Sequence, residues 1–164
     1  MKNIIGISAF YHDSAAALLK NGELISATQE ERFTRIKHDA SFPSNSIKFI
    51  LENSKLDLNE IDKIVFYDKP FIKFERLLET YIANAPIGFK SFKKAMPIWI
   101  KEKLFLKKNI IRELKNISPE FNPIDKLLFA EHHFSHAASA FYPSPFQEAV
   151  ILTLDGVGEL ATST

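Results

Sequence analysis

Cysteine is absent from the 164 residues, and its absence removes two kinds of site at once. No disulfide framework can staple the chain, and no thiolate can ligate a metal. A long apolar run is also missing, so no membrane span is expected. The start, Met1-Lys2-Asn3-Ile4-Ile5-Gly6, reads straight into a strand and not into a secretory signal, which makes the cytoplasm the default expectation. Net charge is scarce as well: 21 Lys and Arg face 20 Asp and Glu, leaving +1. With so small a surplus and no recognisable nucleic-acid module, nucleic-acid binding is not expected. No internal repeat or low-complexity segment is present.

What is there suits a globular protein. Hydrophobic residues make up 46 % and charged residues 25 %, and the length is enough for one domain with a real core. The charge is uneven. Residues 69–116 hold twelve Lys or Arg against four Asp or Glu. A solvated, lysine-decorated helical face accounts for that surplus. The alternative is a basic wall or lid facing a phosphate-bearing ligand or an acidic partner surface.

Residues 3–9 read as a buried strand. The runs 14–20 and 23–30 flank Asn21-Gly22, a strong hairpin signal because both residues tolerate positive φ. Pro43-Ser44 opens a helix with Ile47, Ile50 and Leu51 on one face, and Ser44 is its expected N-cap. Residues 58–61 suggest one helical turn and 63–67 the next strand. Residues 71–116 are mostly helical by period, broken at Pro86 and Pro97, and read as a helical insert. Leu127-Leu128-Phe129-Ala130 and Ala149–Leu154 are further expected strands, with a helix between them and the start of another strand at 160–164. This order gives an α/β lobe with a mixed sheet and a helical insert. By fold analogy it is the lobe order of the ribonuclease-H-like, actin-like ATPase superfamily.

The densest chemistry lies in Glu131-His132-His133-Phe134-Ser135-His136. If a helix starts near His132, then His132 and His136 stand at i and i+4 on one face, where two imidazoles can share one metal ion. Asp155 follows the expected strand 149–154, so its carboxylate would project from a strand end. Two imidazoles and a carboxylate suit iron, manganese or zinc, with positions left open for substrate. The bland alternative is a helix N-terminus with partly exposed histidines.

Three other segments invite a reading. His12 and Asp13 sit in the loop after the first strand, where ligands of α/β sheets bind; the alternative is a turn in which Asp13 and Ser14 satisfy backbone groups. The run Glu30–Asp39 mixes charge signs, as a solvated loop does; the alternative is a substrate loop in which Arg32 and Lys37 hold a phosphate or developing negative charge. Asp155-Gly156-Val157-Gly158 is a tight turn, usually just a hairpin, though its backbone N–H groups could approach phosphates.

Two blocks, IIGISAFYHDSAAALLKNGELISATQEERFTRIKHD near the start and EHHFSHAASAFYPSPFQEAVILTLDGVGE near the end, resemble the carbamoyltransferase family. That family includes nodulation protein U and the tobramycin and cephamycin O-carbamoyltransferases. The resemblance covers residues 3–54 and 124–164; the middle is less characteristic, and Leu160 stands where the family usually has Trp. It implies that residues 1–164 form the N-terminal lobe of a carbamoyl-transfer domain, with the helical insert at about 71–116. A C-terminal YrdC-like domain would lie outside this chain, and so would a fourth metal ligand, an aspartate.

The implied reaction moves a carbamoyl group from carbamoyl phosphate, through carbamoyl-adenylate made with ATP as co-substrate, to an acceptor hydroxyl on a small molecule. The implied roles are His12 as catalytic residue and Asp13, Arg32 and Lys37 as substrate-binding residues. His132, His136 and Asp155 would hold a divalent metal, iron by resemblance, with manganese and zinc also compatible. Gly156 and Gly158 would lie near the nucleotide. The isolated lobe is expected to be inactive; no membrane partner is expected, and a homodimer is left open as the assembly. Two rivals stand beside this reading. One is an actin-like-fold kinase or ATPase, which would use Mg²⁺ with carboxylates and not need the histidines. The other is a non-enzymatic interaction domain using the basic helical insert.

Overall fold

The computed structural model describes residues 2–100, 105–156 and 162–164. The chain divides into two compact units, one of residues 1–67 and 108–129, the other of residues 68–107 and 130–164.

The first unit is built on a five-stranded sheet in the order β3-β2-β1-β4-β5. Its strands are β1 (Asn3–Ser8), β2 (Ala15–Lys20), β3 (Glu23–Gln29), β4 (Lys63–Phe66) and β5 (Leu127–Phe129). β1, β2 and β3 run antiparallel as a meander, while β1, β4 and β5 are parallel neighbours. This is the mixed α/β sheet that the sequence implied. Asn21 (φ 54°) and Gly22 (φ 90°) both take positive φ, which is why Asn-Gly can close the two-residue turn between β2 and β3. Register shifts once there: Leu19 faces Leu24 and Leu18 faces Ser26, so Ile25 is the extra residue of a bulge.

Side chains alternate across the sheet as a half-buried strand requires. Ile5 and Ile7 in β1, Ala16 and Leu18 in β2, and Ile64 and Phe66 in β4 are buried. Helix α1 (Glu31–Thr34) is a single turn after β3, and helix α2 (Ser44–Ser54) packs on β2 and β3 through the expected face, with Ile47, Ile50 and Leu51 buried. A fully buried Ile or Leu contributes about 1.5–3 kcal/mol by leaving water. A 3₁₀ turn (Leu58–Glu60) leads into β4 and is held by a capping box between Asp57 and Glu60. Lys126 donates to the carbonyls of Asn59 (2.9 Å) and Ile61 (2.7 Å), tying the lead-in of β5 to that turn.

The segment read as a helical insert forms α3 (Pro70–Ala83), α4 (Phe89–Trp99) and α5 (Leu106–Ile117). The break at Pro86 is present, with a cis Ala85-Pro86 bond. Pro97 does not break the helix at its own position; it lies in the last turn of α4. α5 turns Ile110 and Leu114, one i,i+4 pair, fully into the interior.

Two sequence expectations give way. Ser44 is the first helical residue of α2 and not its cap; Pro43 precedes the helix without a side-chain cap, and the orphan N–H groups are met by Glu30, described below. Residues 149–153 form no strand. The backbones of Thr153 and Asp155 pair with Thr164 and Thr162, and Leu154 makes a bridge to Ser163. A strand needs a partner along its length. Here Val150, Leu152 and Leu154 remain exposed, although the buried run was expected there. Residues 157–161, including part of the turn and the start of the expected last strand, lie outside the described residues.

Candidate functional site

In the second unit, helix α6 (His132–Phe141) starts at the residue anticipated, with Glu131 in extended conformation before it. Ser135 bonds back to the Glu131 carbonyl through both its N–H (2.8 Å) and its hydroxyl (2.9 Å), closing the first turn. Lys69 Nζ lies 2.8 Å from Glu131 Oε1 and holds that carboxyl below its usual range.

With the helix start fixed, His132 and His136 come onto one face. Their Nε2 atoms are 3.1 Å apart. Asp155 Oδ2 is 2.6 Å from His132 Nε2 and 3.9 Å from His136 Nε2. The expected convergence is therefore present: among the described residues, this is the set of metal-ligating groups gathered within 4.8 Å of one another. Whether the set fits a metal can be tested from the triangle alone. A triangle with sides 2.6, 3.1 and 3.9 Å has a point about 2 Å from all three corners, which is the length of a metal–nitrogen or metal–oxygen bond. Two imidazole nitrogens and one carboxylate oxygen are the donor types of a two-histidine, one-carboxylate centre, and three donors leave further positions on an ion unfilled. The residues fit a divalent metal.

His132 and Asp155 are partly buried in this set, with side chains 14 % and 24 % exposed, whereas His136 is 54 % exposed. Behind His132, the buried carboxylate of Asp68 brings Oδ1 to 3.9 Å from Nδ1. Sequence reasoning passed over Asp68. The available signal was a carboxylate just past the end of a strand, the same reason for which Asp155 was chosen. His133, the middle histidine, turns away and pairs with Thr164 Oγ1 at 2.5 Å. Gly156 is exposed, with open space where a side chain would go, and Gly158 lies outside the described residues.

The first unit carries a second group, in the loop after β1. His12 Nδ1 is 2.7 Å from Asp13 Oδ2, and His38 Nδ1 is 2.9 Å from Asp13 Oδ1. One carboxylate thus serves two imidazoles, and the hydrogen bonds from His38 and then His12 hold the Asp13 carboxyl below the ordinary carboxylate range. Phe10, Asp13 and His38 all take left-handed φ, at 68°, 51° and 57°. That conformation costs a non-glycine residue about 1–2 kcal/mol. Exposed ion pairs contribute only about 0–1 kcal/mol each, so these contacts do not offset the strain they accompany. Neighbouring backbone bonds keep it: Phe10 N–H to the Ala40 carbonyl (2.9 Å), Ser14 N–H to that of Asp39 (2.8 Å) and Glu30 N–H to that of Ser14 (2.8 Å).

The mixed-charge run proves to be two things. Glu30 and Asp39 are buried anchors. Glu30 accepts from Asn45 and Ser46 at the start of α2. Asp39 accepts from the Thr34 hydroxyl (2.6 Å) and the Ser41 N–H (2.8 Å), which hold its carboxyl below the usual range. Between these anchors Arg32 and Lys37 are exposed and available to a ligand. His38, which sequence reasoning left unassigned, reaches Asp13 of the His12 loop with its side chain.

The family model described as the carbamoyltransferase N-terminus matches residues 3–164. The chain belongs to that family. Among its relatives, an uncharacterized protein of Synechocystis sp., sll1178, is 56 % identical over the whole of this chain and 27 % of its own length. Nodulation protein NolNO of Sinorhizobium fredii is 36 % identical over 94 % of this chain and 21 % of its own length. An uncharacterized protein of Methanocaldococcus jannaschii, MJ1058, is 31 % identical over 97 % of this chain and 32 % of its own length. The chain thus spans roughly a quarter of the length of the curated relatives it matches. Among solved structures, YeaZ from Pseudomonas aeruginosa overlaps 43 % of this chain and 31 % of its own at a TM-score of 0.32 and 15 % identity, too loosely to carry an argument. No helix of the described residues is long and apolar enough to cross a membrane.

Proposed function

We propose that this chain is the N-terminal lobe of an O-carbamoyltransferase, working in a longer protein that makes carbamoyl-adenylate from carbamoyl phosphate and ATP. The observation that carries the reading is the triangle of His132, His136 and Asp155 in a chain of the carbamoyltransferase N-terminus family. A kinase or ATPase lobe working through Mg²⁺ would have no need of two imidazoles at i and i+4, because Mg²⁺ prefers oxygen donors.

In this reading His132, His136 and Asp155 hold a divalent metal, with iron, manganese and zinc all compatible. When bound, the metal polarises the carbamoyl donor as a Lewis acid. The rest falls to the chain's own groups. The acceptor hydroxyl oxygen forms a bond to the carbamoyl carbon, and the bond from that carbon to the adenylate oxygen breaks. AMP leaves with the electron pair, and the hydroxyl proton goes to His12. Asp13, hydrogen-bonded to His12 Nδ1, leaves Nε2 as the nitrogen that accepts it. Arg32 and Lys37, both exposed, offset negative charge on donor or leaving group. Gly156 would lie near the nucleotide in this reading. The acceptor is a small hydroxyl-bearing molecule, and the cytoplasm is the compartment this chemistry implies.

The test is an assay of the full-length protein with labelled carbamoyl phosphate, ATP and a panel of hydroxyl compounds, alongside metal analysis. His132→Ala with His136→Ala should lose both bound metal and transfer. His12→Asn should lower turnover at least 100-fold, the lower end of what a general base supplies, and keep the metal. Transfer that persists without metal, or metal loss in His12→Asn, would overturn the reading.

A further inference from the structure

We propose that His38 is a positioning residue for His12, acting through the carboxylate of Asp13. The proposal rests on the reading of His12 as proton acceptor and adds the device that sets its tautomer. Asp13 offers one oxygen to each ring: Oδ2 to His12 Nδ1 and Oδ1 to His38 Nδ1. A carboxylate only accepts, so in these contacts each Nδ1 carries the hydrogen. The His12 ring is then left with its lone pair on Nε2, the nitrogen that must take a proton.

The neighbouring residues His12 and Asp13 could not hold this alone. Both lie on one exposed loop, and the last torsion of an aspartate is soft, so a carboxylate with one partner swings freely. His38 comes from a different and better anchored segment. Its own N–H donates to Glu31 Oε2 at 3.2 Å. The next residue, Asp39, is buried and bonded to Thr34 and Ser41, and its carbonyl receives the Ser14 N–H. The second imidazole therefore locks the carboxylate plane from outside the His12 loop. The left-handed backbone at Asp13 and His38 has the same sense. Strain that the exposed contacts do not repay in stability is consistent with a geometry kept for orientation.

Two substitutions separate positioning from folding, because both residues tolerate the left-handed backbone at position 38. His38→Asn puts an amide N–H₂ where Nδ1 sits; His38→Gly removes the donor. His38→Gln, whose donor lies one carbon farther out, is a third variant. Ring-nitrogen NMR of the protein labelled at histidine, with the His12 signal identified from His12→Asn, reads the tautomer directly and needs no activity. The wild type and His38→Asn should show the hydrogen on His12 Nδ1. His38→Gly and His38→Gln should show a mixture of tautomers. In the carbamoyl-transfer assay His38→Gly should lose about tenfold in kcat with KM for carbamoyl phosphate unchanged, part of what a general base contributes, and His38→Asn should recover most of it. An unchanged His12 tautomer in His38→Gly, or His38→Asn matching His38→Gly, overturns the proposal. Absence of carbamoyl transfer in the wild type would sink the proposed function instead, and the NMR result would still decide this one.

Discussion

Replacing Glu30 by alanine should destabilise the first unit by about 3–5 kcal/mol, through the loss of partners for buried donors. The carboxylate is 2 % exposed and accepts four hydrogen bonds: from Asn45 N–H (3.1 Å), Asn45 Nδ2 (2.8 Å), Ser46 N–H (2.9 Å) and Ser46 Oγ (2.8 Å). These are not equal. Asn45 is exposed, so water can replace the lost acceptor there. Ser46 is fully buried, and its N–H is one of the first-turn donors that α2 itself cannot satisfy. Each buried donor left without a partner costs about 1–3 kcal/mol, and the lost charge at the helix N-terminus adds about 0.3–1 kcal/mol. Urea unfolding followed by circular dichroism should show a lower midpoint at an unchanged slope. Ser46→Ala in the Glu30→Ala background should recover roughly 1 kcal/mol, because it removes one of the stranded donors. A loss below about 1 kcal/mol for Glu30→Ala would refute this account of the buried carboxylate. A rise in KM without loss of stability would instead put Glu30 in the substrate loop.

Asp68→Asn should weaken metal binding ten- to a hundredfold, roughly the effect of removing a carboxylate behind a ligating imidazole, as read by competitive titration with a metal-sensitive dye. Wild-type affinity in that variant would leave Asp68 without a role in holding His132. Asp39 makes the first unit sensitive to acid. The Thr34 and Ser41 hydrogen bonds hold its folded carboxyl below the ordinary aspartate range, so its contribution to stability is present above that range and is lost as pH falls through the lower folded value. Asp39→Asn should therefore lower stability at neutral pH and flatten the acid limb of the stability curve below about pH 4; a limb as steep as in the wild type would remove Asp39 as its source.

The parts of this structure that were legible in the sequence are those governed by a local period. The hairpin at Asn21-Gly22, the buried face Ile47, Ile50 and Leu51, and the placing of His132 and His136 on one face all follow from spacings of two, three or four residues. Asp155 was reached by a different route and for a partly mistaken reason. It was read as the end of a buried strand, yet residues 149–153 form none; its place beside His132 comes from pairing with Thr162. Residue type was informative there even though the element was not.

Loop geometry was the illegible part, and the reason is physical. The cap of α2 is not the adjacent Ser44 but a carboxylate fifteen residues from Asn45 in sequence. In the same run Glu30 and Asp39 are buried, while Arg32 and Lys37 are exposed. No period distinguishes an anchoring charge from a solvated one, since the distinction depends on which distant N–H groups the fold leaves unsatisfied. The same holds for His38, which meets Asp13 across twenty-five residues. Regular strands and helices satisfy their own backbone and so write their pattern locally. The loops beyond them are held by side-chain hydrogen bonds to other loops. The chemistry-bearing residues His12, Asp68 and His132 each follow within a few residues of the end of a parallel strand, β1, β4 and β5. Their types could be chosen from sequence by that rule. The setting of the His12 loop depends on Glu30 and Asp39, whose backbones bond to Ser14, and only the fold identifies those anchors.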